Sequence, residues 1–512
     1  MKIFSTTQSR QADSFTIEHE KVSSETLIRN AGEACFQWFF KNIYRTNGTE
    51  DIKLLFLCGV GNNGADGLAM ALRSFDIVLD VMVVVVNHSD QHSPEFDKLK
   101  FQFPEGSRLI EIISFDQITP EIFKFAEGAY IIDALLGSGL NRPVNGVIAD
   151  CINFINSQPN TVISLDIPSG MYGDKLYESS DIVVKAEHTL SFQFPKLAFL
   201  FPENFANVGD FEILDIGLSN EYTRMTSCEN HFVVKSEIKE LLQTRNKNAH
   251  KGNFGHALIV AGSKGKIGAA VLSARACLRT GAGLVTVHTP ACGYEIIQIS
   301  LPEAMVHADS EADFITDSIK TETYNAIGVG PGIGMEKQTQ NILKLVIQNS
   351  NRPMVFDADA INILAENKTW LSFLPANSIL TPHIKEFERL VGKATNTQDR
   401  LKQQVDFAIK YNVIIVLKGA YSSVATPQGE LFFNSTGNPG MATGGSGDVL
   451  TGILTSLLAQ GYSAFHASII GVFLHGTAGD CASNQQTEES MIASDIIENI
   501  SQAYSTIRAI SN

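Results

Sequence analysis

The stretch Met441–Leu454, MATGGSGDVLTGIL, joins a glycine-rich turn to an apolar helix and places one carboxylate, Asp448, where the helix begins. Such a turn points several backbone N–H groups at one position, which the helix dipole makes attractive to an anion. A carboxylate there opposes phosphate binding, but it can take the proton of a hydroxyl that attacks a phosphoryl group. The alternative is an ordinary N-cap aspartate after a flexible loop. We interpret the stretch as a phosphoryl-transfer site with Asp448 as general base.

Polar residues also follow several predicted strands in the first half of the chain. Asp133 and Asp166 each end a strand, and Asn63 lies in a loop after an earlier one. Open α/β sheets bind ligands beyond the carboxyl ends of their strands. Together with Ser169 these residues form an oxygen-rich cluster, and oxygen donors without Cys or His favour a hard cation over zinc. For any single aspartate, a helix-cap or turn role is the alternative.

The loop at residues 59–64 satisfies the Gly-x-Gly-x-x-Gly pattern of dinucleotide-binding domains, between a strand and a helix. The acidic residue that such domains place at the end of the next strand is replaced by Asn87. Asn62, Asn63 and Asp66 also bring side-chain oxygens into a loop where a pyrophosphate prefers N–H donors. These departures from a dinucleotide-binding site argue against a hydride-transfer domain, although the glycine spacing is present.

Alternating strand and helix patterns predict the elements that position these residues. Buried strands are predicted at KLLFLC, VMVVVV, AYIIDAL, TVISLDI and HTLSFQF, and then at HALIVAG, LVTVHT, AIGVG, MVFDAD, SILTP and VIIVLKG. Helical stretches separate them, which is typical of doubly wound α/β folds. A polar segment interrupts the alternation near residues 219–230. We predict two doubly wound α/β domains, at 1–220 and 231–512, joined by a linker at 221–230.

Composition limits the classes of function. A chain of 512 residues is too long to fold around a single hydrophobic core, so more than one domain is expected. The net charge of −16 argues against nucleic acid as a partner. Apolar runs have strand length, and the N-terminus lacks an apolar signal core, so no membrane association is predicted. Seven cysteines without a Cys-x-x-Cys pair indicate free thiols in a reducing cytoplasm.

Several segments of the sequence resemble known enzyme domains, and the resemblance covers nearly the whole chain. The first half resembles the NAD(P)H-hydrate epimerase domain, and the second half resembles the ribokinase-like NAD(P)H-hydrate dehydratase domain. Their order matches the fused bacterial repair enzymes. The segments that carry the resemblance are GVGNNGADGLAMA, DALLGSGLNRPV and SLDIPSG for the epimerase, and HKGNFGHALIVAGSKGKIGAAVLSARACLRTGAGLVTV, GVGPGIG, FDADAIN, LTPHIKEF, VIIVLKGA and ATGGSGDVLTGIL for the dehydratase.

The resemblance implies that the first domain is Rossmann-like and interconverts the R and S forms of NADHX and NADPHX, reduced cofactors hydrated at ring carbon C6. It implies Asp166 and Lys196 as acid/base residues, although Lys196 could also be a surface lysine. It implies potassium bound by Asn63, Asp133 and Ser169. The residues implied to contact the hydrate here are Asn62, Asn63, Gly64, Ala65, Asp66, Gly137, Ser138, Gly139, Leu140, Asn141, Arg142, Pro143 and Asp166.

For the second domain, the resemblance implies dehydration of the S form with ADP or ATP as phosphate donor, and the fused bacterial enzymes favour ADP. Magnesium is expected with the nucleotide, because the transferred phosphoryl charge needs neutralising. The implied substrate contacts are Ala269, Gly332, His383 and Asp448. The implied nucleotide contacts are Lys418, Gly419, Ala420, Tyr421, Ser422, Asn438, Thr443, Gly444, Gly445, Ser446 and Gly447. Alternatives are a strand-end lysine for Lys418 and a turn residue for His383, and we interpret His475 as a core histidine.

Two segments depart from the family pattern. The family usually has Gly-Gly-Asp-Gly where this chain has Gly64-Ala65-Asp66-Gly67, and alanine would be disfavoured if residue 65 needed a positive φ. The dehydratase usually has Pro-His-Pro-Gly-Glu-Phe where this chain has Ile384 and Lys385 in place of the second proline and the glycine. We therefore expect an altered turn after His383.

Three functions compete on the sequence. We favour a bifunctional repair enzyme, which the family suggests is a homo-oligomer. A ribokinase-like small-molecule kinase fused to a nucleotide-binding accessory domain shares the Gly-Ser-Gly-Asp loop, but it would release a stable phosphoester. A binding or scaffold protein would be favoured by the loss of Asp166 and Lys196, and both residues are present.

Overall fold

The computed structural model describes residues 1–46, 52–78, 80–178 and 180–509. They divide into two compact units, one of residues 2–228 and one of residue 1 with the chain from residue 229 onward. The stretch 221–230, predicted as a linker, includes most of a helix, Asn220–Met225. Tyr222 of that helix is buried in a cluster of the first unit with Phe4 and Ala12. The domain boundaries stay a prediction.

The first unit is built on a parallel sheet whose strand order is β3-β2-β1-β4-β5-β6-β7. The order reverses between β1 and β4, and at such a switch point the loops diverge to leave a crevice at the carboxyl ends. Its strands are β1 (Lys53–Gly59), β2 (Asp80–Val86), β3 (Arg108–Ile112), β4 (Tyr130–Ala134), β5 (Val162–Leu165), β6 (His188–Phe192) and β7 (Asp210–Leu214).

Helices cover both faces of this sheet. Along β1, Leu54 and Phe56 pack in one buried cluster, whereas Leu55 and Leu57 pack in a second one. A strand buried on both faces shows a continuous apolar run, which is why KLLFLC was recognisable. The helices of this unit are α1 (Thr6–His19), α2 (Ser24–Phe39), α3 (Asn62–Ser74), α4 (Pro94–Lys100), α5 (Pro120–Ala126), α6 (Gly146–Ser157), α7 (Phe205–Val208) and α8 (Asn220–Met225).

The second unit is built on a mixed sheet whose order is β11-β10-β9-β12-β13-β14-β15-β16-β17-β8. The run from β11 to β15 is parallel, and β16 is antiparallel to both of its neighbours. Its strands are β8 (Asn230–Val233), β9 (His256–Val260), β10 (Leu284–Thr289), β11 (Met305–Ala308), β12 (Ala326–Val329), β13 (Met354–Phe356), β14 (Ile379–Leu380), β15 (Ile414–Leu417), β16 (Ser423–Ala425) and β17 (Leu431–Asn434).

Two apolar helices form the centre of the second unit. Helix α16 begins at Ser446 and α17 at Ala464, and both are buried over most of their length. The helices of this unit are α9 (Lys235–Leu241), α10 (Ile267–Thr280), α11 (Tyr294–Ser300), α12 (Lys337–Asn349), α13 (Ala358–Glu366), α14 (Ile384–Val391), α15 (Thr397–Tyr411), α16 (Ser446–Ala459), α17 (Ala464–Ser483), α18 (Ala493–Glu498) and α19 (Ile500–Arg508). Within the described ranges, no helix is long and apolar enough to span a bilayer.

The predicted fold class, two doubly wound α/β domains, is confirmed, but the strand prediction was incomplete. Strands β3 and β7 were not predicted, because they lie at the edges of their sheet and are partly exposed. Edge strands need no continuous apolar run. Strands β8, β11, β16 and β17, which extend the second sheet at its two ends, were not predicted either.

Candidate active sites

The first unit contains a cavity of about 630 Å³ where the chain leaves β1, β4, β5 and β6. Lys196 lines it, together with most residues that the sequence analysis assigned to the hydrate. These are Asn62, Asn63, Asp66, Gly137, Ser138, Gly139, Leu140, Asn141, Arg142 and Asp166. The lining does not include Gly64 and Ala65, which are buried in α3, or Pro143, which is exposed.

Asp166 and Lys196 form a buried ion pair in this cavity. Lys196 Nζ lies 2.9 Å from Asp166 Oδ1, and the lysine side chain is 3% exposed. Lys196 is therefore not a surface lysine. Burial alone would raise the pKa of Asp166, but the Lys196 ammonium and hydrogen bonds from Ser138 lower it below its ordinary value. Asp166 is thus a carboxylate at neutral pH, held beside the Lys196 ammonium group.

The backbone of Asp166 adopts a left-handed conformation, with φ of 63°. Left-handed φ is uncommon outside glycine, and such residues concentrate at functional sites. The backbone N–H of Asp166 donates to the carbonyl of Leu190 at 2.8 Å, which ties the end of β5 to β6. This hydrogen bond between β5 and β6 therefore helps to fix the position of the Asp166 carboxylate.

Two further carboxylates line the same cavity. Asp66, on α3, has a pKa raised well above its ordinary value by burial and then by the charges of Asp166 and Asp13. Asp13, on α1, has a pKa raised to about 6 by burial and by Asp166, against the opposing effect of Lys196. Asp13 was missed by the sequence analysis, because it lies on a polar helix far from any motif.

Three oxygen-bearing residues predicted as potassium ligands lie together beside the cavity. Asn63 Nδ2 and Ser169 Oγ both lie within hydrogen-bond distance of the carbonyl of Leu136, at 3.0 and 3.1 Å. Ser169 Oγ also donates to Asp133 Oδ1 at 2.6 Å. Asn63 Oδ1 is buried and has no hydrogen-bond partner among the described residues. A buried carbonyl oxygen without a donor, next to a fully buried carboxylate, fits a hard monovalent cation.

The turn between β1 and α3 depends on glycine at residue 64, not at residue 65. A Cβ at Gly64 would lie 1.7 Å from the carbonyl oxygen of Gly59. Ala65 instead lies inside α3, where its N–H donates to the carbonyl of Gly61 at 3.0 Å. The expectation that residue 65 could need a positive φ was wrong, because this residue is already helical.

In the second unit, Asp448 lies in the first turn of α16. Gly445 is the N-cap, with a left-handed φ of 94°, so the ordinary N-cap role considered for Asp448 is wrong. Burial raises the pKa of Asp448 to about 7, with a further contribution from Asp357 and an opposing one from Lys418. A carboxyl group with this pKa exchanges protons readily near neutral pH, as a general base must.

Lys418 is held against this turn by Asp357. Lys418 Nζ donates to Asp357 Oδ1 at 2.9 Å, and Asp357 is 1% exposed. Thr381 and Thr451 donate to the same carboxylate, each at 2.8 Å. A Cβ at Gly447 would lie 3.2 Å from Lys418 Nζ, so the ammonium borders the helix start. Lys418 is therefore fixed beside Asp448.

Asp357 is a site residue that the sequence analysis missed. Its segment, FDADAIN, carries part of the family resemblance, which implies no role for the first aspartate. The available signal was its position after strand β13, which is the same signal that identified Asp133 and Asp166 at the ends of theirs.

His383 begins α14 as its N-cap residue. The His383 N–H donates to Glu386 Oε2 at 2.9 Å, and the Glu386 N–H donates to His383 Nδ1 at 3.2 Å. This reciprocal capping forms with Ile384 and Lys385 in the intervening positions. The altered turn stays a prediction. His383 also pairs with Lys418 in an isolated parallel bridge, which brings it close to the Lys418–Asp357 pair.

The remaining predicted contacts of the second unit occupy neighbouring loops. Gly332 has a φ of 62°, and a Cβ there would lie 3.3 Å from Ala269. Gly419 and Ser422 close a turn through a 3.2 Å hydrogen bond, and Tyr421 and Ala420 lie between them. Asn438 donates to Asp480 Oδ1 at 3.0 Å, ahead of the loop that carries Thr443 and Gly444. Their contacts with substrate and nucleotide stay predictions.

His475 lies under the glycine-rich turn. Its Nε2 is 3.4 Å from Ser446 Oγ, and burial lowers its pKa to about 4. It is a half-buried, neutral histidine on α17, and its neighbour is the first residue of α16.

Comparison with known proteins gives matches over both units. A family model described as NAD(P)H-hydrate dehydratase matches residues 257–502, and one described as YjeF-related protein N-terminus matches residues 24–198. The chain is 32% identical to the bifunctional NAD(P)H-hydrate repair enzyme of Coxiella burnetii, over 97% of this chain and 98% of that protein. It is also 32% identical to the enzyme of that description from Escherichia coli, over 95% of this chain and 89% of that protein.

Solved structures include an ADP/ATP-dependent NAD(P)H-hydrate dehydratase from Bacillus subtilis, co-crystallised with ATP and Mg²⁺. It is 27% identical to this chain, with a TM-score of 0.48, and the match covers 54% of this chain and 98% of that one. A ribokinase-like superfamily protein from Enterococcus faecalis is 28% identical, with a TM-score of 0.49, covering 55% of this chain and 98% of that one.

Proposed function

We propose a function for each unit from one premise: this chain belongs to the family of bifunctional NAD(P)H-hydrate repair enzymes. The enzyme interconverts the R and S hydrates of NADH and NADPH and dehydrates the S hydrate to NAD(P)H. Dehydration consumes ADP or ATP, which enters with magnesium bound to its phosphates. We assign interconversion to the first unit and dehydration to the second.

The observation that carries the dehydration step is Asp448, with its raised pKa, in the first turn of α16. Asp448 takes the proton of the substrate hydroxyl as the hydroxyl oxygen bonds to the terminal phosphorus of the nucleotide. The bond from that phosphorus to the rest of the nucleotide breaks. The ring nitrogen lone pair then expels phosphate from C6, and loss of a C5 proton restores the dihydropyridine. The hydroxyl has become a good leaving group by phosphorylation.

Charge at the phosphoryl group is balanced by Lys418 and by the start of α16. The first N–H groups of a helix have no intrahelical partner, so those of Gly445 and Gly447 are suited to hold developing negative charge. The Ser446 N–H between them makes a long, 3.4 Å hydrogen bond to the Thr443 carbonyl. Lys418 is oriented toward the start of α16 by Asp357. We propose that Asn438, Thr443 and the turn 418–422 contact the nucleotide, and that Ala269, Gly332 and His383 contact the hydrate.

In the first unit, Asp166 and Lys196 exchange protons with the hydrate. Their pair lies in the 630 Å³ cavity, which is within the range of small-molecule sites. Potassium would be held by Asn63, Asp133 and Ser169, where it would add a fixed positive charge beside the loop 137–142. We also propose that the enzyme is cytoplasmic and a homo-oligomer, as the family suggests.

The function is tested by following dihydronicotinamide absorbance after mixing the R and S hydrates with the enzyme, ADP or ATP, magnesium and potassium. Full recovery of NAD(P)H with release of inorganic phosphate is expected. Accumulation of a stable phosphoester without NAD(P)H would instead identify a small-molecule kinase. Comparing ADP with ATP under the same conditions identifies the donor.

A further inference from the structure

One face of helix α1 forms part of the wall of the first cavity. Ser9, Arg10, Asp13, Ser14 and Ile17 line it, at the spacing of successive helical turns. The family model matches the chain only from residue 24, so α1 lies outside that match. This helix therefore adds side chains to a site that the recognised motifs do not include.

Helix α1 is anchored firmly at its N-terminus. Thr6 donates from its backbone N–H to Asp174 at 3.0 Å and from its hydroxyl at 2.7 Å. Ser5 and Gln8 form a capping box at the helix start. Farther along, the Thr16 hydroxyl accepts from the Ser219 N–H at 2.9 Å. These contacts fix Asp13 at a defined position in the cavity wall.

Arg10 and Asp13 lie one turn apart on this face and reach different neighbours. A Cβ at Gly139 would lie 2.9 Å from Arg10 Nη2, so the guanidinium lies against the loop 137–142. Asp13 is instead coupled by charge to Asp166 and Lys196. The charged and titratable groups that share the cavity with Asp13 are Arg10, Asp66, His88, Arg142, Asp166 and Lys196.

We propose that Asp13 is a second proton-transfer residue of the first unit, acting from α1 on the same reacting carbon as the Asp166–Lys196 pair. This proposal rests on the hydrate-interconverting function assigned above. Inversion at C6 through a ring cation removes the oxygen from one face of the ring and adds one to the other face. Two proton carriers on different elements of the cavity wall suit such a reaction.

In one direction of the reaction, Asp13 is the proton donor and Asp166 is the proton acceptor. Asp13 gives its proton to the C6 hydroxyl, the C6–O bond breaks with its electron pair on oxygen, and water leaves. The N1 lone pair forms a C6=N1 double bond, which makes the ring a cation. Water then bonds to the other face of C6, the π electrons return to N1, and the water proton passes to Asp166. The reverse direction exchanges the two roles.

The surroundings of Asp13 favour both parts of this step. The Asp13 side chain is exposed where it lines the cavity. Partial desolvation by the cavity wall and the Asp166 charge raise the pKa of Asp13 to about 6, so it holds a proton at higher pH than an ordinary aspartate. Once Asp13 has given up its proton, its carboxylate and that of Asp166 both line the cavity, where their negative charge stabilises a ring cation. The interconversion rate is then expected to fall as pH rises above about 6, where the protonated form of Asp13 is lost.

The test compares Asp13→Asn with Glu18→Gln, which removes a carboxylate from the same helix outside the cavity lining. Interconversion is measured by chromatographic separation of the R and S hydrates in the absence of nucleotide, so that dehydration is silent. Asp13→Asn is expected to lose about 10²–10⁴-fold in rate, while Glu18→Gln keeps both the wild-type rate and its fall above pH 6. Asp13→Glu should restore part of the activity.

Folding of the first unit is checked by Trp38 fluorescence in a Trp370→Phe background, since the chain has only these two tryptophans. Asp13→Asn replaces a carboxylate by an isosteric amide and should melt at or above the wild-type temperature, because it removes charge repulsion with Asp166. A folded Asp13→Asn enzyme with the rate and pH profile of Glu18→Gln would overturn the proposal. If Asp166→Asn also kept its rate, the function assigned to the first unit would fail as well.

Discussion

At the scale of single residues, the second unit depends on how three charges are balanced. Asp357 and Lys418 form a tight pair, and Asp448 lies close enough to respond to both. Burial also raises the pKa of Asp448, and the Asp357 charge adds to that rise. In this arrangement Asp357 keeps Lys418 in place and keeps Asp448 basic enough to accept a proton.

Replacing Asp357 with asparagine should shift the pH dependence of dehydration to lower pH. In the wild type, the active carboxylate of Asp448 forms as pH rises through about 7. The variant loses a repelling charge and leaves Lys418 without its partner, and both changes lower the pKa of Asp448, by roughly one unit. The measurement is kcat/KM for the S hydrate between pH 5 and 9.

The control for this variant is Asp406→Asn, which neutralises an exposed carboxylate on α15 of the same unit. It should leave the pH profile unchanged. A profile for Asp357→Asn that rises at the wild-type pH would contradict the proposed coupling between Asp357 and Asp448.

Which residues could be predicted depended on whether their signal is local. Asp448 was identifiable because the glycine turn, the carboxylate and the apolar helix are adjacent in sequence. Asp166 was identifiable from its strand end. Asp13 shares a cavity with Asp166 only through the packing of α1, since 153 positions separate them in the chain, and a polar helix offers no sign of this placement.

At the scale of elements, each unit uses a strand–turn–helix segment in which glycine permits close approach. Gly64 allows α3 to start directly against Gly59 of β1. Gly445 supplies the left-handed residue that starts α16. These turns were predictable from the glycine pattern. The Gly-x-Gly-x-x-Gly spacing at 59–64 is that of a hydride-transfer site, but this chain belongs to another family.

Gly64→Ala should destabilise the first unit selectively. The added methyl would overlap the Gly59 carbonyl oxygen, so the turn must shift, at a cost of roughly 1–3 kcal/mol. Trp38 fluorescence during thermal unfolding, in the Trp370→Phe background, reports on this unit. Gly61→Ala is the matched control for stability, because a Cβ there meets nothing within 4 Å. Equal melting temperatures for the two variants would refute the close-packed turn.

Dehydration of the S hydrate by Gly64→Ala should continue at the wild-type rate at temperatures where the variant has not aggregated. The affected turn belongs to the first unit, and the residues assigned to dehydration all belong to the second. The loss of interconversion with intact dehydration would therefore report local damage.

At the scale of the whole molecule, two different reactions are assigned to two units, each built on an α/β sheet. Strand-end loops at a switch in strand order line the first proposed site, and a glycine turn at a helix start lines the second proposed site. The two-domain fold followed from the alternating strand and helix patterns. The edge strands did not, because partly exposed strands such as β3 and β7 lack the apolar runs that mark buried ones.

The most direct measurement of the central claim is made on Asp448→Asn, supplied with R and S hydrates, nucleotide, magnesium and potassium. Loss of the general base should slow the return of NAD(P)H absorbance by about 10²–10⁴-fold, while chromatography still shows R and S interconverting at the wild-type rate. Asp166→Asn should do the opposite and recover only the S portion beyond spontaneous epimerisation. An Asp448→Asn enzyme that regenerates NAD(P)H as fast as the wild type would contradict the account.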